Sequence, residues 1–304
     1  MLSADTASTF LPAPRTAPRP VMWLTWPIMF VVSFAAALHA IDSQLDYSRM
    51  LTGLLAMNIV VLIVLETLFP ADRRWKMTMR SFGRDLKYFA ASGITIATTN
   101  LLFGLAAIRL SAGHSGPITG WPLYVSVPIA LLAVDFLNYW QHRWSHELRG
   151  RLGAFLWRTH AAHHLPPQVY VLMHVAGHPL NIFLVRGFTS LLPLYLLGAD
   201  AETVFIANVI VTLQGLVSHC NLDLRAGWFN YLFVGTELHR YHHSADIRES
   251  KNYAATLSIL DLLFGTFVYR PGRLPERLGV VEPQRYPDAN EFWRVMRLPF
   301  RAGA

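Results

Sequence analysis

Cysteine is all but missing. Cys220 is the only one, which excludes an intrachain disulfide framework and any CxxC metal or redox motif, so metal chemistry must come from other side chains. Charge is scarce as well: Asp, Glu, Lys and Arg supply 15% of the 304 residues, against about 25% in a soluble globular chain. Lysine occurs only at Lys76, Lys87 and Lys251, and the preference for arginine fits a GC-rich bacterial genome. No HExxH signature is present, because His146-Glu147 is not followed by a histidine in the right place; this argues against a zinc hydrolase of that type.

What is abundant is apolar. Hydrophobic residues make up 53% of the chain, a composition that water solvates poorly and that a bilayer, itself the solvent for an apolar exterior, accommodates. The net charge of +7 does not imply a nucleic-acid partner, since the basic residues lie between apolar segments and follow the pattern of membrane topology.

A helix needs about 20 apolar residues to cross a hydrocarbon core. Four runs meet this, Val21 to Ala40, Met50 to Phe69, Tyr88 to Leu110 and Trp121 to Trp140. Two more, Leu180 to Gly198 and Glu202 to Ser218, are parted only by Ala199, Asp200 and Ala201, which suggests a tight hairpin that does not fully cross. The loop 71–87 and the stretch after the fourth run are rich in arginine and lysine, so both are expected in the cytoplasm, with the intervening loops on the far side. The expected layout is a disordered leader over 1–20, a membrane-embedded domain over 21–270 and a capping tail over 271–304. The fold class is all-α: a multi-pass transmembrane bundle with a cytoplasmic helical cap, placed in a bacterial inner membrane.

The thirteen histidines carry the chemistry. DFLNYWQHRWSH ends in His142 and His146, four residues apart and so on one helical face; the same face reaches back to Asn138 and Asp135. HAAHH contributes His160, His163 and His164, and HRYHH contributes His239, His242 and His243. Each triplet falls on one face, and three neutral imidazoles crowded together need partners for their donors and acceptors, a need that a shared metal meets. His219 closes the last apolar run, on a stripe with Gly215, Thr212 and Asn208, and Asp223 lies four residues beyond it.

Singly, any of these is more ordinarily a satisfied interfacial histidine; two HxxHH triplets and an HxxxH placed on one membrane face are not. For the rest the bland reading holds. His39 and His114 belong to the far interface. His174 and His178 share an i, i+4 spacing, but His178 precedes Pro179 at a helix start. Cys220 reads as a small buried apolar residue. Asp135, Asn138 and His178 are candidates for supporting the ligands by hydrogen bonds, Asp135 by orienting His142.

The ordered set HxxxH, HxxHH, lone His, HxxHH resembles the fatty acid hydroxylase / sterol desaturase superfamily of membrane non-heme di-iron enzymes. His178-Pro179 and the segment from Asn252-Tyr253 to Leu260-Asp261-Leu262-Leu263-Phe264-Gly265-Thr266 are similar to family features; Ala254, Leu260 and Asn181 depart from them and weaken a sterol assignment. The resemblance implies an O2-dependent oxidoreductase, hydroxylating or desaturating a lipid-like substrate such as an acyl chain, ether lipid or sterol. It further implies two iron ions held by His142, His146, His160, His163, His164, His219, His239, His242 and His243, with zinc able to occupy the site in a purified sample. No cytochrome b5-like segment is recognisable, so a separate electron-transfer protein or reductant is implied. Tyr139, Trp140, Trp144, Trp157 and Tyr241 are candidates to wall a substrate cavity. The alternatives are a membrane zinc hydrolase, which needs three ligands where about nine are offered, and a non-enzymatic metal- or heme-binding membrane protein, which would place its ligands near mid-membrane or on facing spans.

Overall fold

A computed structural model describes residues 17–110 and 115–301. The expected leader up to residue 16 and His114 lie outside the described residues. Among the described residues six helices are long and apolar enough to cross a membrane: α1 (Arg19–Asp42), α2 (Tyr47–Leu68), α3 (Met79–Leu110), α4 (Leu123–Glu147), α6 (Pro179–Leu197) and α7 (Ala201–His219). Between the fourth and fifth spans runs the shorter α5 (Gly150–His164), and α8 (Thr236–His242) follows the sixth.

Local chemistry sets the helix boundaries. Asp46 caps α2 by accepting from the Arg49 N–H at 3.0 Å, and Asp200 caps α7 by accepting from Thr203 at 2.8 Å. Between α6 and α7 the chain reverses at Gly198, whose φ of +68° is one that a side chain rarely adopts. A Cβ there would also stand 2.2 Å from Thr119 Oγ1. The hairpin inferred from the sequence is therefore present, with both of its arms of spanning length.

α6 is not uniform. Pro193 has no N–H to give the carbonyl four residues earlier, and residues Val185–Leu191 widen into a π-helical turn in which Leu192 N–H reaches Gly187 O. Within that turn Thr189 Oγ1 donates to the Val185 carbonyl at 2.7 Å and Ser190 Oγ at 3.3 Å, side-chain hydrogen bonds folded back onto the helix.

α7 is the most buried span and packs against α1, α2, α4 and α8. Within the bundle, polar side chains pair across helices, Asn58 to Ser33 at 3.2 Å, Ser126 with Thr203 at 2.7 Å and Trp26 to Gln214 at 2.8 Å. Successive spans run antiparallel, which brings the ends of α4 and α7 and the starts of α3 and α6 to one face. There α5, α8 and the C-terminal stretch form a cap. Its core joins Leu278, Val280, Phe292 and Val295 to Trp75, Tyr88, Ala162 and Tyr170, so the tail is packed into the cap rather than laid upon it.

Candidate metal centre

Four elements deliver nine imidazoles to the junction of bundle and cap. They fall into two groups: His142, His146, His160, His164 and His242, and His163, His219, His239 and His243. Within each group one nitrogen per ring lies within 4.8 Å of all the others. The groups share a wall, with His164 stacked on His243 at a centroid distance of 4.5 Å.

Each triplet is divided, and this corrects the expectation that one triplet shares one ion. α5 sends His160 and His164 to the first group and His163 to the second; α8 and its C-cap send His239 and His243 to the second and His242 to the first. Residues four apart on a helix stack one above the other, whereas the one at i+3 is rotated from them, so two helices facing each other exchange one imidazole each.

The backbone fixes the ring tautomers. His142 Nδ1 lies 2.7 Å from the Tyr253 carbonyl, His242 Nδ1 2.9 Å from Lys251 O, His163 Nδ1 3.1 Å from Ala176 O and His219 Nδ1 2.7 Å from Gly215 O. A carbonyl only accepts, so each Nδ1 carries the proton and each Nε2 presents a lone pair. Yet the Nε2 atoms point at one another: His163 to His219 at 3.0 Å, His142 to His160 at 3.0 Å and His242 to His164 at 3.1 Å. Between His163 and His219 both rings are fixed in this way, and two lone pairs at that distance repel unless a cation lies between them. A proton does not serve, because burial holds His163 down to about 3. Burial likewise drives His160, His164, His239, His242 and His243 well below the ordinary histidine value, leaving them neutral and ready to ligate. His146 Nε2 is buried without a hydrogen-bond partner. The donor set thus fits two metal ions, one per group.

The supporting shell differs from the sequence reading. Asp135 does not touch His142. It accepts from the backbone of Ala255 and Thr256 at 3.1 Å and of Leu257 at 2.5 Å, and the same loop offers the Tyr253 carbonyl to His142. Asp261, which the sequence reading passed over as a support, holds that loop from the other side through the N–H groups of Tyr253 at 2.7 Å and Ala254 at 3.1 Å. Desolvation pushes Asp261 up to about 7. Its only sequence signal was its place in the closing segment. Asn138 is half-buried nearby and hydrogen-bonds to none of the nine histidines. His178 caps α6, accepting from Leu180 N–H at 3.1 Å while its Nε2 faces Met296 O at 3.1 Å; it joins the cap to the bundle and does not reach the cage.

His174 is outside both groups but sits 3.2 Å from His219 Nδ1, in space that only Gly215 leaves open, since a Cβ there would meet the His174 ring at 2.7 Å. Asp223 pairs with Arg225 at 2.7 Å instead. Among the aromatics, Trp157 lies against His146 and His164, with ring centroids at 5.2 and 5.8 Å, and Tyr139 is buried with its hydroxyl at 2.9 Å from Thr266. Trp144 is half exposed.

A six-span helical bundle with two adjoining clusters of buried histidines at one face defines a membrane protein with a candidate two-metal histidine site. Residues 127–266 match the fatty acid hydroxylase family, and the chain is a membrane enzyme of that hydroxylase and monooxygenase family. It is 29% identical to the ornithine lipid hydroxylase OlsE of Rhizobium tropici over 84% of this chain and 78% of that protein. It is 30% identical to the very-long-chain aldehyde decarbonylase GL1-11 of Oryza sativa over 49% of this chain and 55% of that protein. With the alkylglycerol monooxygenase of Homo sapiens it shares 29% over 45% of this chain and 29% of that one. No solved structure matches significantly.

Proposed function

We propose that the nine histidines hold two iron ions and that the enzyme hydroxylates a lipid carbon with dioxygen and two electrons from a separate donor, the site facing the cytoplasm. The observation that carries this is the His163–His219 pair, whose two proton-free Nε2 atoms face each other at 3.0 Å in a buried cage. Nε2 spacings of 2.9 to 3.1 Å across the cage are short enough for the paired rings to share an ion, and imidazole ligands suit iron among other metals.

When bound, the iron pair supplies the activation of dioxygen that amino acid side chains cannot, in the balance R–H + O2 + 2 e− + 2 H+ giving R–OH + H2O. The chain's own residues do the rest. Asp135 and Asp261 hold the 253–257 loop, so that the Tyr253 carbonyl keeps His142 turned inward. Trp157, Tyr253 and the cap cover the cage from water. Tyr253 Oη donates to Glu147 Oε1 at 3.0 Å, and Glu147 in turn pairs with Lys251 at 2.6 Å at the part-exposed rim, a line along which protons reach the edge of the first cluster. The arginine-rich 71–87 loop adjoins the cap, which supports the cytoplasmic placement.

The relative named for ornithine lipid aligns over most of this chain, which favours a membrane lipid as substrate and hydroxylation as the outcome. Lipid extracts of a deletion strain and of its complemented parent test this. A product one oxygen heavier in the complemented strain alone is the expected result; a loss of two hydrogens would assign desaturation, and no lipid difference would overturn the proposal.

A further inference from the structure

Arg186 stands in the π-helical turn near the middle of the fifth span, seven residues from Pro179 and eleven from Leu197. Its Nε donates to Asn100 Oδ1 on α3 at 2.9 Å and its Nη1 to Asn208 Oδ1 on α7 at 3.2 Å. Both partners are neutral, and among the described residues no carboxylate pairs with it. A positive charge at this depth is costly, and arginines kept there ordinarily face a functional interior with an anionic partner. Two hydrogen bonds to amide oxygens could be made by an uncharged side chain; charge and a forked guanidinium are what arginine alone adds.

The surroundings suit a ligand of two parts. Asn208 shares one face of α7 with Thr212, Gly215 and His219, the first three of them half-buried, so a stripe leads from the guanidinium toward the second histidine cluster, with the His174 ring lying against it at Gly215. Beside Arg186, Phe103, Phe183 and Phe188 form an apolar wall with ring centroids 5.6 to 6.3 Å apart, and Gly187 allows Phe103 to lie against the widened turn. π-turns within α-helices occur frequently at functional sites.

We propose that Arg186 anchors the substrate by binding the carboxylate or phosphate of an anionic amphiphile, whose alkyl chain runs along α7 to the cage. This rests on the oxygenase reading only for what happens at the far end. Eleven residues part Asn208 from His219, so the oxidised carbon lies roughly 16 Å from the anion, well along a long chain.

The test uses the full-length, iron-loaded enzyme in a non-ionic maltoside detergent, without reductant, and measures binding of palmitate, hexadecyl phosphate and hexadecanol. At least one of the two anionic probes should bind about tenfold more tightly than the alcohol, as a charge-assisted bidentate contact gives; the tighter of the two names the headgroup chemistry. Arg186→Gln should erase the preference, and Arg186→Lys should restore part of it. Equal binding of all three probes by the wild type, which needs no variant to fold, would overturn the proposal, as would a preference that survives in Arg186→Gln. With a donor added, oxidation of palmitate next to its carboxylate would also contradict it. If the preference holds and no probe is oxidised under any donor, the oxygenase reading fails while this site stands.

Discussion

His163 and His219 show what the residue scale contributes. Neither ring stands out in the sequence, one being the middle member of HAAHH and the other a lone histidine at a helix end; the backbone carbonyls that orient them come from Ala176 and Gly215 and could not be read from spacing. The nine histidines themselves were legible, because their number and spacing exceed what packing would keep. Their supports were not: Asp135 holds the 255–257 backbone rather than the His142 ring, and His178 acts as a helix cap. Removing one ligand should differ from removing a neighbour. His163→Ala is expected to empty the second cluster and abolish product, whereas His174→Ala, outside both groups, should keep both metals and lose only part of the rate; metal analysis of the two purified variants checks this. Asp261→Asn puts an NH2 group in place of one of the two oxygens that accept from Tyr253 and Ala254, leaves one of those N–H groups without an acceptor and should lower stability by about 1–3 kcal/mol, read from denaturation of the iron-loaded protein.

At the scale of elements, the apolar runs locate α1, α2, α6 and α7 to within three residues, whereas α3 starts nine residues before its run and α4 ends seven after it, since length and apolar content mark only the part of a helix that can cross. Periodicity also misled. It placed each triplet on one face, but a face of α5 wide enough for i, i+3 and i+4 meets two clusters, and α8 opposite sorts the imidazoles between them. The π-turn of α6 was invisible because Pro193 alone does not say whether a helix will kink, break or widen. Gly215 is the contact on which this packing turns. Gly215→Ala would drive a methyl group to 2.7 Å from the His174 ring, so we expect overpacking worth about 1–3 kcal/mol and weaker metal retention in the second cluster, measured by thermal melting and by dialysis against chelator.

For the whole molecule, six antiparallel spans put the cage, the cap and the start of α1 on one side of the membrane; reporter fusions after Asp42 and after Gly265 should report opposite compartments. The cage also links metal to stability. Burial holds His163 down to about 3 and His174 down to about 4, below the 6.5 of a free histidine, so in the metal-free chain the unfolded state binds more protons. Stability of that form therefore falls as the pH drops from 6.5 toward 3 and is regained above 6.5; melting curves of chelator-treated protein at several pH values check the sign.

Metal stoichiometry is the most direct measurement. Protein purified without oxygen after growth in iron should carry two iron ions per chain; His160→Ala, from the first cluster, and His163→Ala, from the second, should each keep one, with the retained ion showing imidazole-only ligation by X-ray absorption. A wild-type chain that takes up fewer than two ions when iron is in excess, or one that holds both ions after either change, would contradict a cage in which facing helices divide their histidines between two metals.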